Sequence, residues 1–309
     1  MKRTLVALAG LLALGLTACG GGGDPLAGGP AGTAADQPPA AADVIRVGSA
    51  NFTESRLLAE IYSQALEARG VTVERQFGIG SREVYFPALQ DGSIDLIPEY
   101  TGNLLQEIDP QATATASDQV YQELTNKLPD GLIVLEQSAA EDKDAVVITQ
   151  ETAQRYNARS IADLAPHCGE LVFGGPPEFA ERPYGLPGIE RLYGCKFAEF
   201  RSLDAGGPLT VAALTDGSIQ AADLFTTDPT IADRGWVALE DPQNNFSAQN
   251  VVPLVNEAKA SEEVRQTLNA ISAALTTDGL LELNRKVADA ATNTVESVAK
   301  EWLTANNIG

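Results

Sequence analysis

The chain has 309 residues, and its apolar content of 44% can build cores for about two domains of ordinary size. Acidic residues number 42 against 21 lysines and arginines, which gives a formal net charge of −21 at pH 7. Because so acidic a surface repels phosphate backbones, the charge balance excludes nucleic acid as a partner.

The N-terminal residues have the pattern of a secretory signal. A basic start at residues 1–3 precedes an apolar stretch over residues 5–16 that is too short to span a bilayer. The stretch ends in Leu16-Thr17-Ala18-Cys19, which resembles the cleavage site of bacterial lipoproteins. We therefore predict a signal peptide over residues 1–18 and a lipid on Cys19. The alternative is an ordinary signal with a chance cysteine.

A tether is expected to follow the signal. Residues 19–43 are dominated by glycine, alanine and proline, with almost no large apolar side chain to build a core. No later run is long and apolar enough to span a membrane. The expected product is an exported protein of the cell envelope, held to a bacterial membrane by lipid alone, with its folded body outside the cytoplasm.

From residue 44 onward, short strands alternate with helices, which is typical of βαβ units around a parallel sheet. The first unit is predicted to have strands over 44–48, 71–77 and 94–97 and helices over Thr53–Ala68 and 81–90. The second unit is predicted to have strands over 171–173 and 196–202 and helices over 184–193 and Pro208–Thr215. Two lobes with one plan are therefore expected.

The repeat is clearest where Ala88-Leu-Gln-Asp-Gly-Ser-Ile94 matches Ala213-Leu-Thr-Asp-Gly-Ser-Ile219. The alternative is chance recurrence of one helix and its Asp-Gly turn, but the shared order of elements favours a duplication. The same offset sets Tyr100-Thr101 opposite Phe225-Thr226. Ligands of open parallel sheets bind beyond the carboxyl ends of the strands. We therefore predict a cleft that receives one aromatic ring and one hydroxyl from each lobe.

Two crossovers are predicted to join the lobes, at residues 144–149 and 250–255, and to act as a hinge. C-terminal helices over 262–275, 279–290 and 295–306 are expected to return to the first lobe. The predicted fold class is α/β, with lobe 1 formed by residues 44–142 plus 251–309 and lobe 2 by residues 143–250. We expect a monomer.

Cys168 and Cys195 each stand just before a predicted strand of the second unit. Neighbouring parallel strands would bring the two thiols within bonding distance, so an exported chain favours a disulfide between them. His167 is the only histidine, and one histidine with two cysteines is a poor metal-ligand set. We predict neither a metal site nor a cofactor.

Several segments are specific enough to indicate a family. They are Ile45-Arg-Val-Gly-Ser-Ala-Asn-Phe-Thr-Glu54, Asp91-Gly-Ser-Ile-Asp-Leu-Ile-Pro-Glu-Tyr-Thr-Gly102, Pro129-Asp-Gly-Leu132, Pro177-Glu-Phe-Ala-Glu-Arg-Pro183, Tyr193-Gly194 and Leu239-Glu-Asp241. In order and spacing they resemble the glycine betaine/choline/carnitine family of substrate-binding proteins of ABC importers. The resemblance extends from about residue 45 to the C terminus, and its most specific part is Pro98-Glu-Tyr-Thr-Gly102.

The resemblance implies a type II periplasmic-binding-protein fold, a permease and an ATPase as partners, and a quaternary amine as the small-molecule ligand. An aromatic cage would hold the ammonium group through cation–π contacts. The matching positions are Tyr85 or Phe86 in the first lobe and Phe225 in the second; Tyr100 either joins them or packs beneath the site.

A carboxylate at the other end of the ligand would need backbone N–H groups at a helix start or a bidentate arginine. Ser49, Asn51 and the helix from Thr53 are candidates for the first arrangement. Arg182 is the candidate for the second, with an ion pair to Glu178 or Glu181 as its alternative role.

Asp144 and Gln249 stand where the family often has tyrosines, and Ala50 stands where many relatives carry lysine. Loss of two cage rings would forfeit roughly 1–4 kcal/mol of cation–π attraction. Asp144 could offset part of this by direct charge attraction, or both residues could serve a sugar-like or primary-amine ligand. The ligand is therefore open between a betaine-type solute and a donor-bearing polar one.

An enzyme with this bilobal fold is the competing class. The sequence contains no nucleophile-elbow, Walker or Rossmann motif. We therefore expect a binding protein and not an enzyme.

Overall fold

A computed structural model describes residues 44–289 and 291–308. The predicted signal peptide, the predicted lipidation site at Cys19 and the predicted linker lie outside the described residues. Within the described ranges, no helix has the length and apolar character needed to cross a membrane.

The body is built on two five-stranded mixed sheets. The strands are β1 Ile45–Gly48, β2 Val73–Gln76, β3 Leu96–Tyr100, β4 Leu132–Val134, β5 Asp144–Ile148, β6 Val172–Gly175, β7 Glu199–Ser202, β8 Ala221–Phe225, β9 Val237–Ala238 and β10 Val251–Asn256.

Helices surround both sheets. They are α1 Thr53–Ala68, α2 Arg82–Gln90, α3 Thr101–Ile108, α4 Ser117–Lys127, α5 Gln150–Tyr156, α6 Ile161–Leu164, α7 Leu186–Tyr193, α8 Pro208–Thr215, α9 Pro229–Asp233, α10 Glu262–Ala274, α11 Thr277–Ala288 and α12 Val295–Ala305.

The two sheets repeat one topology. The first has the order β2-β1-β3-β10-β4 and the second the order β7-β6-β8-β5-β9. In each, three parallel strands are followed by a crossover strand that runs antiparallel to the third, β10 beside β3 and β5 beside β8. We call the first sheet with α1–α4 and α10–α12 lobe 1, and the second with α5–α9 lobe 2. The expected two-lobed α/β fold is confirmed.

The matching Asp-Gly-Ser segments form the same turn in both lobes. The side chains of Asp91 and Asp216 each accept a hydrogen bond from a serine N–H two residues later, at 2.8 Å. The intervening glycines, Gly92 and Gly217, have φ of 75° and 77°, in the left-handed region that glycine adopts without strain. The sequence echo is thus a structural repeat that carries the chain from a helix into the third strand.

The C-terminal helices complete lobe 1. Helix α1 buries Leu57, Leu58 and Ile61 in one apolar cluster with Leu268 of α10 and Val298 of α12. This agrees with the prediction that the three last helices return to the first lobe.

The chain passes between the lobes twice, and the two passages lie side by side. Glu141 and Asn250 form an antiparallel bridge, and the N–H of Asp142 donates to the carbonyl oxygen of Gln249 at 3.1 Å. Both passages therefore run as one two-stranded connection beneath the gap between the lobes.

A disulfide joins Cys168 to Cys195, with their Cα atoms 5.4 Å apart. The parallel strands that follow them, β6 and β7, are hydrogen-bonded neighbours in register from Val172–Glu199 onward. The predicted disulfide is therefore present, and the adjacent parallel strands β6 and β7 account for it.

Helix α3 starts directly at the end of β3, and the sequence did not predict it because it contains Gly102, a poor helix former. The glycine is required there for another reason. A Cβ atom at Gly102 would lie 2.1 Å from the Ser247 hydroxyl oxygen and 2.5 Å from the Ala248 carbonyl oxygen. The close approach of the returning crossover thus excludes any side chain at this position.

Candidate functional site

A cavity lies between the lobes, at the carboxyl ends of β3 and β8. It encloses about 530 Å³ of space free of atoms, part of which is open to solvent. Its lining includes the aromatic residues Phe52, Tyr85, Tyr100 and Phe225, the acidic residues Asp142, Asp144, Glu178 and Asp223, and the basic residues Arg82 and Arg182. The remaining lining residues are Ala50, Asn51, Ser81, Asn103, Pro176 and Ala205.

Three of the rings form a continuous aromatic contact across the lobes. The ring centroid of Phe52, just before α1, lies 5.1 Å from that of Phe225 in lobe 2 and 6.0 Å from that of Tyr100. The hydroxyl of Tyr85, from α2, donates to Glu99 at 2.5 Å. Aromatic rings from both lobes therefore line the cavity, and the Tyr85 hydroxyl is already bonded to protein.

Both arginines of the cavity are bound to carboxylates. Arg82 is 5% exposed and makes two hydrogen bonds of 2.9 Å to Glu99 of β3. Arg182 of lobe 2 makes a bidentate pair with Glu83 of lobe 1, at 2.9 and 3.1 Å. The first pair fixes α2 on the sheet, and the second joins the lobes at the edge of the cavity.

Asp144 is held by a chain of two amide side chains. Asn103 of α3 donates to Asp144 Oδ2 at 2.8 Å. Gln249 accepts from the backbone N–H of Asn103 at 2.9 Å and donates to its side-chain oxygen. Burial raises the pKa of Asp144, and the Asn103 hydrogen bond partly opposes that rise. Gln249 thus acts on the cavity through Asn103.

Glu54 and Asp142 form an acidic contact between the lobes. Glu54, in the first turn of α1, accepts from the Tyr100 hydroxyl and from the Thr227 hydroxyl of lobe 2, both at 2.6 Å. Asp142 accepts from the Thr227 N–H at 3.0 Å. Burial, and then the negative charge of Glu54, raise the pKa of Asp142 well above its usual range.

Asp223 is the most enclosed of the cavity carboxylates. It lies on β8 with 1% of its surface exposed, and its Oδ1 atom has no hydrogen-bond partner among the described residues. Burial, and then the negative charge of Asp144, raise its pKa well above its usual range.

Six of the residues proposed from the sequence line this cavity. They are Asn51, Tyr85, Tyr100, Asp144, Arg182 and Phe225. Tyr100 and Phe225 end strands β3 and β8, and Asp144 begins strand β5. Arg182 pairs with Glu83 of the facing lobe at 2.9 Å, a partner that the sequence did not suggest. It also forms a longer ion pair of 4.0 Å with Glu178, one of the two partners that the sequence suggested.

Five proposed residues do not line the cavity, and each is occupied elsewhere. The Ser49 hydroxyl accepts from the Gly78 N–H and donates to the Ala50 carbonyl oxygen. Phe86 points into the core of lobe 1, as expected for one of two adjacent aromatics on an amphipathic helix. Gln249 lies behind Asn103.

The two remaining residues are the paired threonines, which are not among the residues that line the cavity. Thr101 accepts from the N–H of Asn250 at 3.1 Å, and Thr226 accepts from the N–H of Lys143 at 2.9 Å. Each hydroxyl therefore ties the end of a third strand to a crossover. The duplication was read correctly from the sequence, but the hydroxyls hold the connection between the lobes.

The sequence analysis missed Phe52, Arg82, Asn103, Asp142 and Asp223. The sequence could have indicated Asp223, because a charged residue that interrupts the apolar strand Ala221–Phe225 is unusual. The others depend on contacts between distant segments, which no local pattern shows.

The arrangement suits an organic cation. Asp142, Asp144 and Asp223 are buried, and no salt bridge links any of them to a lysine or arginine of the described chain. No three histidine, cysteine, aspartate or glutamate side chains converge as metal ligands in the described ranges. Buried carboxylates need a counter-charge, and ring faces attract cations.

The chain matches a known protein family over most of its length. Residues 43–305 match the model of the substrate-binding domain of ABC-type glycine betaine transport systems. The chain is 31% identical over 262 residues to the glycine betaine-binding protein YehZ of Escherichia coli K12, covering 80% of this chain and 86% of that relative. It is 30% identical over 285 residues to a glycine-betaine-binding protein of Pseudomonas aeruginosa, covering 87% and 90%.

Solved structures agree on the fold. A crystal structure of a glycine betaine/carnitine/choline ABC transporter protein superposes with a TM-score of 0.67 at 20% identity. The match covers 85% of this chain and 99% of that one.

The raised pKa of Asp142 predicts how stability depends on pH. A carboxyl group whose pKa is higher in the folded state binds more protons when folded, so its ionisation destabilises the fold as pH rises above about 4. Asp142→Asn keeps the acceptor for the Thr227 N–H and removes this ionisation. We expect the fall in unfolding free energy between pH 5 and 7 to become shallower by up to about 1.4 kcal/mol per pH unit.

Urea denaturation at several pH values measures this slope, with Asp118→Asn, on the exposed face of α4, as the control. An unchanged slope in Asp142→Asn would contradict the account of the acidic contact.

Proposed function

Because this chain belongs to the substrate-binding domains of ABC-type glycine betaine transport systems, we propose that its cavity captures a small solute with a positively charged nitrogen, of the glycine betaine and choline type. Members of this family are substrate-binding proteins of importers and not enzymes. They act outside the cytoplasm and work with a permease and an ATPase.

One observation supports a positively charged ligand. The cavity is lined by four aromatic rings and by three buried carboxylates that have no salt bridge to a lysine or arginine among the described residues. Each ring that contacts an ammonium group contributes roughly 0.5–2 kcal/mol. A positive ligand also relieves the repulsion among Asp142, Asp144 and Asp223. The relatives in Escherichia coli and Pseudomonas aeruginosa, both named for glycine betaine, support the same class.

The contacts between the lobes support capture by closure. Arg182 bonds Glu83, Asp144 bonds Asn103 and Phe225 packs on Phe52, so three sides of the cavity are formed jointly by both lobes. Release of a ligand requires these contacts to break. The two side-by-side crossovers provide the connection about which the lobes can separate.

We further propose the cellular setting. The protein is made with the signal peptide over residues 1–18, is lipidated on Cys19 and works as a monomer at the outer face of a bacterial membrane. The sequence pattern at residues 1–19 supports this. Residues 19–43 then act as the tether that lets the body reach the permease.

The proposed ligand should stabilise the protein on binding and should not be chemically changed by it. We expect choline or glycine betaine to raise the melting temperature and to be recovered intact. Phe225→Ala should weaken binding by roughly 2- to 30-fold, the equivalent of one cation–π contact.

Isothermal titration calorimetry measures the affinity. Phe200→Ala is the matched control, since Phe200 is another half-buried phenylalanine of the lobe 2 sheet but lies outside the cavity. Equal affinity of Phe225→Ala and Phe200→Ala would contradict the placement of the ligand, and no response to any small amine or ammonium compound would contradict its class.

The lipid anchor has a separate test. Cys19→Ser removes the thiol that receives the lipid, so the variant should move from the membrane fraction to the soluble fraction of the producing cells. Fractionation followed by mass spectrometry of the N-terminal peptide checks this. A variant that stays in the membrane fraction would contradict anchoring by lipid.

A further inference from the structure

We propose that the cavity prefers a cation with at least one N–H, such as a protonated amine, over a fully alkylated ammonium group, and that Asp223 and Asp144 of lobe 2 receive the N–H. The inference rests on the proposed function, because it specifies the chemistry of the cation in the same cavity. It predicts that amines with an N–H bind more tightly than fully alkylated ammonium groups do.

The placement of the two aspartates follows from the strand register. Strands β5 and β8 are antiparallel, with Asp144 opposite Phe225 and Val146 opposite Asp223. Residues directly opposite one another in such a pair point to the same face of the sheet, and so do alternate residues along a strand. Asp144, Asp223 and Phe225 therefore present two carboxylates and one ring from a single face, all to the cavity.

Asp223 has an acceptor that the protein leaves unused. Its side chain is 1% exposed, and Oδ1 has no hydrogen-bond partner among the described residues. The nearby Tyr184 is buried close enough to feel the charges of Asp144 and Asp223, yet its hydroxyl also has no partner in that part of the chain. A buried acceptor without a donor is costly, so this atom is placed to receive a donor from a ligand.

The cavity arginines do not meet this need. Arg82 makes two hydrogen bonds to Glu99, and Arg182 makes two to Glu83. Asn103 donates to Asp144 and its amide oxygen is taken by Gln249, so this amide is also committed. Among the described residues, no donor reaches Oδ1 of Asp223, so this atom is available to a donor on the ligand.

A quaternary ammonium would balance the charge but would leave Oδ1 of Asp223 unpaired, since it has no N–H. A protonated tertiary, secondary or primary amine balances the charge and fills the acceptor in a charge-assisted hydrogen bond. Phe225 on the same face can still contact the carbon atoms next to the nitrogen. The carboxylates thus select for the N–H that the rings alone would not distinguish.

Two pairs of probes isolate the N–H. Trimethylammonium differs from tetramethylammonium, and protonated N,N-dimethylethanolamine from choline, by one N–H in place of one N-methyl group. Each affinity is measured by calorimetry at pH 7 on the full chain. We expect the N–H member of each pair to bind about 10- to 100-fold more tightly, as a charge-assisted hydrogen bond allows. The N–H member of each pair is the more strongly hydrated one in water, and this by itself disfavours its binding. A preference for the N–H member therefore requires the acceptor in the cavity.

Asp223→Leu tests the acceptor directly, because it removes the carboxylate and keeps a side chain of similar size. The preference should fall to about onefold in this variant. If Asp223→Leu does not fold, Asp144→Asn keeps an acceptor for Asn103 and should reduce the preference several-fold. Glu199→Gln, an exposed carboxylate on β7 of the same sheet, should leave the preference unchanged.

The outcomes separate the two claims. If none of the four probes binds, the proposed function is wrong and this inference falls with it. If the quaternary member of each pair binds as tightly as its partner or more tightly, the inference is overturned while the proposed function stands. A preference that persists unchanged in Asp223→Leu and Asp144→Asn would also overturn the assignment of the acceptor.

Discussion

Buried negative charge between the lobes is the constraint on which the rest of this structure depends. Asp142, Asp144 and Asp223 are removed from water, and burial raises the pKa of each. Charges in such a place are costly unless they are paired. The protein pairs Arg82 with Glu99 and Arg182 with Glu83, and so directs its own cations to other carboxylates. A ligand with positive charge balances the site by favouring the ionised carboxylates that burial disfavours.

The repeated fold explains how the charges come to face one another. Each third strand ends at the gap between the lobes, and each crossover strand runs antiparallel beside it. In lobe 1 the residue opposite the terminal aromatic is Val251, whereas in lobe 2 it is Asp144. The same strand pairing therefore places an apolar residue opposite the terminal aromatic in lobe 1 and a carboxylate opposite it in lobe 2. Thr101 and Thr226 fasten both to the crossovers in the same way.

Much of this scaffold could be predicted because it is encoded by local patterns. The Asp-Gly-Ser turns, the α1 apolar face and the cysteines before neighbouring strands each report a short-range requirement. The terminal aromatics Tyr100 and Phe225, aligned by one offset between the repeats, both line the cavity. The disulfide followed from strand order alone.

What the sequence could not reveal depends on distant contacts. Gln249 was read as a ligand contact because of its position, but it lies behind Asn103, an amide 146 residues away in sequence. The commitment of Arg82 to Glu99 and of Arg182 to Glu83 can only be seen once α2, β3 and lobe 2 are assembled. Because both arginines pair with carboxylates of the protein, they are not placed to bind a carboxylate of the ligand. The site is dominated instead by its own carboxylates.

The most direct test of this account is a crystal structure of the protein with a bound small organic cation. The account predicts that the charged nitrogen lies within about 6 Å of the Phe225 ring, on the side of the cavity formed by Asp144 and Asp223. A ligand whose nitrogen lies outside this cavity, or an anionic group found against these carboxylates, would contradict it.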